Sequence, residues 1–174
     1  MTVALPLVIT ASLLAAASDL RTRRIPNWIA GALFACGLAA SAFGGWQSLG
    51  WDLAITLAVL IAGTFAFSLK LIGGGDVKLL AAAAGTLGYP AAPYFVLFTL
   101  VCGGVIAVAY AAVRGRLGTA LTNVHAAALP VFAGARPSRP QGSLAMPYAL
   151  AILAGALCTA LAAANNFVPH LRTL

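Results

Sequence analysis

Residues 92–113 read APYFVLFTLVCGGVIAVAYAAV, twenty-two positions without one charged side chain. A helix of about 20 apolar residues crosses the hydrocarbon core of a bilayer. Nothing in the run alternates with the period of two that a barrel strand needs, and lipid offers no partners to a bare backbone. The run therefore predicts a membrane-spanning helix, and the rest of the chain agrees with it. Of 174 residues 62% are hydrophobic and 7% charged, with a mean hydropathy of +1.00, well outside the composition of soluble domains. Besides Ala92–Val113, apolar segments occupy Thr2–Ser18, Trp28–Phe43, Trp51–Ile72, Val77–Gly88 and Ser143–Phe167. The expected fold is all-α: a polytopic integral membrane protein of about six transmembrane helices, forming one domain over residues 1–174 with no separate soluble part.

Two stretches depart from simple crossings. The fourth segment is short, and its glycine-rich start at Gly73–Gly75 predicts a helix beginning below the surface, where protein or a water-filled cleft must cover its end. Between the fifth and sixth segments, Leu117, Leu121, Val124, Ala128 and Val131 form a helical stripe opposite Thr119, Thr122, Asn123 and Ala126, which predicts an interfacial helix over Leu117–Phe132. Residues 137–142, PSRPQG, have loop chemistry.

The net charge is +7, but the bases sit in short clusters between apolar runs, where the positive-inside rule accounts for them without nucleic acid. Arg21, Arg23, Arg24, Lys70, Lys78, Arg114, Arg116, Arg136 and Arg139 share one side under a six-crossing topology, and only Arg172 lies opposite. This places the amino terminus outside and Asp19 and Asp76 at the cytoplasmic face. Ala15-Ala16-Ala17 has the look of a signal cleavage site, yet the arginines follow the first run rather than precede it, so the first helix is expected to be retained. Cys36, Cys102 and Cys158 lie singly in apolar runs and read as packing residues, with no metal or cofactor motif. His125 and His170 read as surface groups, and Trp28, Trp46, Trp51, Tyr89 and Tyr94 as an aromatic belt.

The chain has no glutamate and three aspartates, so each acid demands an explanation. Asp52 opens the Trp51–Ile72 run and reads as a helix cap. Asp19 ends the first run, where a carboxylate opposes the helix dipole; the restrained turn Ile25-Pro26-Asn27 follows, and pairing with the nearby arginines is the plain alternative. Asp76 fits a cap as well, but three preceding glycines exceed what capping needs. They permit positive φ and the close approach of another backbone, such as an extended substrate. Acids in membrane segments usually face a cavity or each other, since burial in lipid costs roughly 2.5–3.5 kcal/mol. Two carboxylates meeting at one depth share a proton. That is what aspartyl proteolysis requires, and no metal enters it.

With these residues the chain resembles the type IV prepilin peptidases, intramembrane aspartyl proteases with six transmembrane helices and a G-x-G-D motif, here Gly73-Gly74-Gly75-Asp76. Asp19 with Ile25-Pro26-Asn27 is similar to the family's first catalytic segment, Lys78 to the lysine of G-x-G-D-x-K members, and Met146-Pro147-Tyr148 to the proline-aromatic motif opening the last helix. The resemblance implies Asp19 and Asp76 as catalytic residues, with Gly73, Gly74, Gly75, Lys78, Pro26, Asn27, Pro147 and Tyr148 binding substrate or supporting the site. It implies no cofactor, a location in the bacterial inner membrane, and a substrate: the helix of a prepilin or pseudopilin, cut after a glycine to release its basic leader. Larger members carry an amino-terminal zinc segment and methylate the new amino terminus. This chain starts directly into a helix, so cleavage without methylation is expected, as in the small peptidases of tight-adherence (Flp-type) pili. The sixth-segment motif reads Pro-Tyr-Ala-Leu, without the Gly-Pro of larger enzymes. The rival reading is a small proton-coupled transporter using Asp19 and Asp76 as ion or proton sites; a further one is an assembly subunit whose acids are only structural.

Overall fold

The computed structural model describes residues 3–69, 72–115, 118 and 148–165. Among these it forms six helices and no strand: α1 (Ala4–Thr22), α2 (Asn27–Phe43), α3 (Trp46–Ser68), α4 (Gly74–Leu87), α5 (Ala91–Val113) and α6 (Ala149–Ala164). The helices α1, α3 and α5 are long and apolar enough to cross a membrane, while α2 and α6 are shorter apolar helices and α4 has 14 residues. Apart from Gly118, the expected interfacial helix over residues 117–132 lies outside the described residues, as do Lys70, Pro147, His125 and His170.

Helix ends differ from those read off hydropathy, each for a local reason. Helix α1 runs past Ser18 to Thr22 and closes at Arg23, whose φ of 52° is left-handed and whose N–H donates to the Asp19 carbonyl at 2.8 Å. Pro26 then bars helical geometry at Ile25 and occupies the cap position of α2, so Asn27 is the first helical residue. Helix α3 starts at Trp46, after Gly45 with φ 95°. Asp52 therefore lies in its second turn, and the expectation that it caps a helix is corrected: the turn before Trp51 is too polar to register as a span, yet nothing in it breaks a helix.

By its internal contacts the chain divides into two units, residues 1–103 with 147–174 and residues 104–146. In the second, the Arg114 guanidinium stacks over the Tyr110 ring at 4.9 Å to its centroid, a cation–π contact at the end of α5. Everything that follows belongs to the first.

There the core is built around α4, which packs against α2 and α3 and also touches α1. Residues 79–85, LLAAAAG, are all buried. In lipid, helix association relies on close packing rather than on expulsion of water, so small residues belong at such contacts. Gly37 of α2 faces Thr86, and Gly63, the buried residue of α3, faces Val77. Helix α1 packs on α6 and α2, contributing Val8, Ala15 and Ala16 to the same core as Ile152 and Ala156. Much of the remaining surface of α3 is apolar and exposed, including Leu57, Ile61 and Phe65, as lipid contact requires.

A paired-acid candidate active site

One end of this bundle collects the carboxyl end of α1 and the amino ends of α2, α4 and α6. The α1–α2 turn is tied down by side chains that hydropathy reading passes over. The hydroxyl of Ser18 donates to the Arg24 carbonyl at 3.1 Å, and that of Thr22 lies 2.9 Å from the Ser18 carbonyl and 3.2 Å from that of Arg24. These bonds fold the turn back over the last turn of α1, so that Ile25 reaches the first turn of α4. A Cβ placed on Gly75 would stand 3.2 Å from the Ile25 Cβ. Beside this contact Lys78 Nζ donates to Asn27 Oδ1 at 3.3 Å, so the two motifs that flank the acids are joined directly.

Asp76 occupies the third helical position of α4, with Gly73 as the cap residue. Its side chain turns back toward the helix start and accepts from the backbone N–H groups of Gly73 and of Asp76 itself, the acid half of a capping box. That return explains the first glycine: a Cβ on Gly73 would lie 2.6 Å from Asp76 Oδ2. The positive φ that the triplet permits is not used. Gly73 has φ −75°, and Gly74 and Gly75 are helical. What glycine supplies here is room, for a carboxylate at Gly73 and for the α1–α2 turn at Gly75, while a Cβ on Gly74 would meet only the Phe67 ring, at 3.5 Å.

Asp19 and Asp76 come together. Asp19 is the neighbouring charge that acts on Asp76, and Asp76 in turn acts on the phenol of Tyr148. Asp19 lies in the last turn of α1 and accepts a hydrogen bond from the backbone N–H of Ala149, the first residue of α6. Asp76 Oδ1 is buried and has no hydrogen-bond partner among the described residues, an arrangement that costs about 1–3 kcal/mol for a neutral acceptor and more for a charged one. Tyr148 is half-buried, its ring against Gly103 of α5, where a Cβ would come within 3.2 Å of Cε2. Two carboxyl groups within electrostatic reach of each other, one with an oxygen free of donors, are suited to exchanging a proton with a bound molecule.

The other acid stays apart. Asp52 Oδ2 accepts from Ser41 of α2, and its Oδ1 lies where a Cβ on Gly88, at the far end of α4, would stand 2.6 Å away. It ties α2 to α3 beside the far end of α4. One pairing carried no signal in the sequence: Cys102 and Cys158 bring their sulfurs to 3.9 Å between α5 and α6.

An all-helical membrane protein with two acids at one end of the bundle defines a class, and sequence comparison defines the family within it. Residues 7–108 match the type IV leader peptidase family, and the chain belongs to that family of proteases. The matched segment contains both acids but ends before α6. No curated protein and no solved structure matches the chain.

Proposed function

We propose that the protein is an intramembrane aspartyl endopeptidase that removes the basic leader from prepilin or pseudopilin helices, with Asp19 and Asp76 as its catalytic pair. The observation that carries this reading is the placement of these two acids, 57 residues apart in the chain, within electrostatic reach at one end of the bundle. Family membership supports the protease class, and two acids within electrostatic reach of each other support the aspartyl chemistry.

In this mechanism Asp76, the more deeply buried acid, carries the proton on its donor-free Oδ1, while Asp19, less buried and held by the Ala149 amide, is the ionised partner. Asp19 takes a proton from a water as its oxygen attacks the peptide carbon. Asp76 gives its proton to the carbonyl oxygen. A tetrahedral diol results, with the proton inventory conserved. Its collapse returns the proton from Asp19 to the amide nitrogen while Asp76 recovers its own from the hydroxyl, so that the C–N bond breaks to an acid and an amine.

The site lies beside the exposed Arg21, Arg23, Arg24 and Lys78, so by the positive-inside rule it faces the cytoplasm of a bacterial inner membrane, with the amino terminus outside. A substrate helix must unwind there to present an extended bond after its glycine. The test is cleavage of a prepilin by the purified enzyme in liposomes, with the new amino terminus sequenced. A cut directly after the leader glycine, lost on Asp19→Asn and on Asp76→Asn, is the expected result; undiminished cutting by either variant removes the mechanism.

A further inference from the structure

The two acids are oriented by different parts of the molecule. Asp76 takes its backbone donors from its own helix start, Gly73 and itself. Asp19 has no such local source. It sits in the last turn of α1, where the free groups are carbonyls and the helix dipole disfavours a carboxylate. Its backbone donor comes from 130 residues away, from Ala149. We propose that the free amide of Ala149 at the start of α6 is the positioning group for Asp19, so that seating α6 on α1 sets the catalytic geometry of the pair. The proposal rests on the aspartyl reading above and extends it to a segment outside the family-matching residues 7–108.

Three features make the amide suited to the task. It is one of the first four N–H groups of a helix, which have no partner within the helix, so binding Asp19 sacrifices no bond of α6; the amides of Ala151 and Ile152, by contrast, already donate to the Tyr148 carbonyl at 2.9 and 3.3 Å. Its place is fixed, since Ala149 is 0% exposed and packs in the core that α1 and α6 share through Val8, Ala15 and Ile152. Tyr148 pins the same point from the other side, wedged against Gly103 within reach of the Asp76 charge. The positive end of the α6 dipole thus meets the acid that α1 by its own dipole would repel.

Proline would delete this N–H but add a ring in the buried core, whereas an α-hydroxy acid deletes it without adding atoms. Incorporating lactic acid at position 149 during cell-free synthesis into lipid nanodiscs exchanges the N–H for an ester oxygen and keeps the methyl group. The matched control is the hydroxy analogue of leucine at position 150, which removes the next free amide of α6. With a prepilin substrate, the ester at 149 is expected to lower kcat by about 10- to 100-fold, the scale on which misplacement of a catalytic group acts, with KM within about twofold, while the ester at 150 stays near the unmodified enzyme. Equal kcat for the two esters, or a loss confined to KM, would overturn the proposal. General weakening of the fold would affect both esters alike and so counts against it as well. The unmodified enzyme and Asp19→Asn, run in parallel, separate the two levels of inference. No cleavage by the unmodified enzyme sinks the peptidase reading and this proposal with it; an Asp19-dependent cleavage indifferent to the ester at 149 sinks the positioning role alone.

Discussion

Asp52 and Asp76 sit on neighbouring helices, both half-buried, yet their surroundings divide them. Around Asp52 the chain offers a hydroxyl, from Ser41, and another carboxylate is not among its neighbours. Around Asp76 it offers donors to one oxygen, leaves the other bare, and brings up the charge of Asp19. A buried acid whose needs are met holds helices together. One held short of satisfaction, beside a second acid, keeps its proton available. The difference lies in the partners and in the deeper burial of Asp76, not in residue type.

The sharpest way to break this contrast is to neutralise each acid in turn. Asp76→Asn and Asp19→Asn should each lower kcat for prepilin cleavage by on the order of 10³-fold or more, since each removes one half of the proton exchange. Asp52→Asn should stay within about threefold of the parent, because an amide oxygen still accepts from Ser41. Steady-state cleavage in liposomes checks all three, and a comparable loss at Asp52 would abolish the distinction.

A steric version comes next. In Gly73→Ala the new methyl would stand 2.6 Å from Asp76 Oδ2, so the carboxylate must move, at an expected cost of about 10²-fold in kcat. Gly74→Ala, which meets only the Phe67 ring at 3.5 Å, should lose far less. The paired kinetics of these variants show whether the triplet provides room for the acid or merely flexibility.

Stability should respond in the opposite sense. Ser41→Ala strips Asp52 of its donor and is expected to cost about 1–3 kcal/mol with kcat unchanged, measured by denaturation in detergent beside the cleavage assay. The smallest effect belongs to the Lys78–Asn27 bond, exposed and 3.3 Å long. Either Lys78→Met or Asn27→Ala should change kcat/KM by about threefold, with the double variant no worse than the singles, as a double-mutant cycle on a shared bond of about 0.5–1.5 kcal/mol demands.

Much of this was legible in the residues themselves. The uncharged run at residues 92–113 fits a spanning helix because hydrocarbon tolerates no other local solution for a backbone. The scarcity of acids drew attention to Asp19 and Asp76 for the same reason, since a membrane segment keeps a carboxylate only where something uses it. Capping was harder to read. Asp52 reads as the start of a helix that begins six residues earlier at Trp46. Hydropathy locates the middle of a helix, whereas its ends depend on a few bonds such as those of Ser18 and Thr22 to the Arg24 carbonyl.

What the sequence by itself determined is the solvent, the helical class and the identity of the uncommon acids, all of which follow from the cost of putting particular groups into lipid. Only the tertiary structure decided which acid has which partner. The Ala149 amide at Asp19, the serine at Asp52, the bare oxygen of Asp76 and the sulfur contact between Cys102 and Cys158 join groups far apart along the chain. Hydrogen bonding is short-ranged and directional, so such pairings depend on how the helices are seated against one another, which no local pattern of residues encodes.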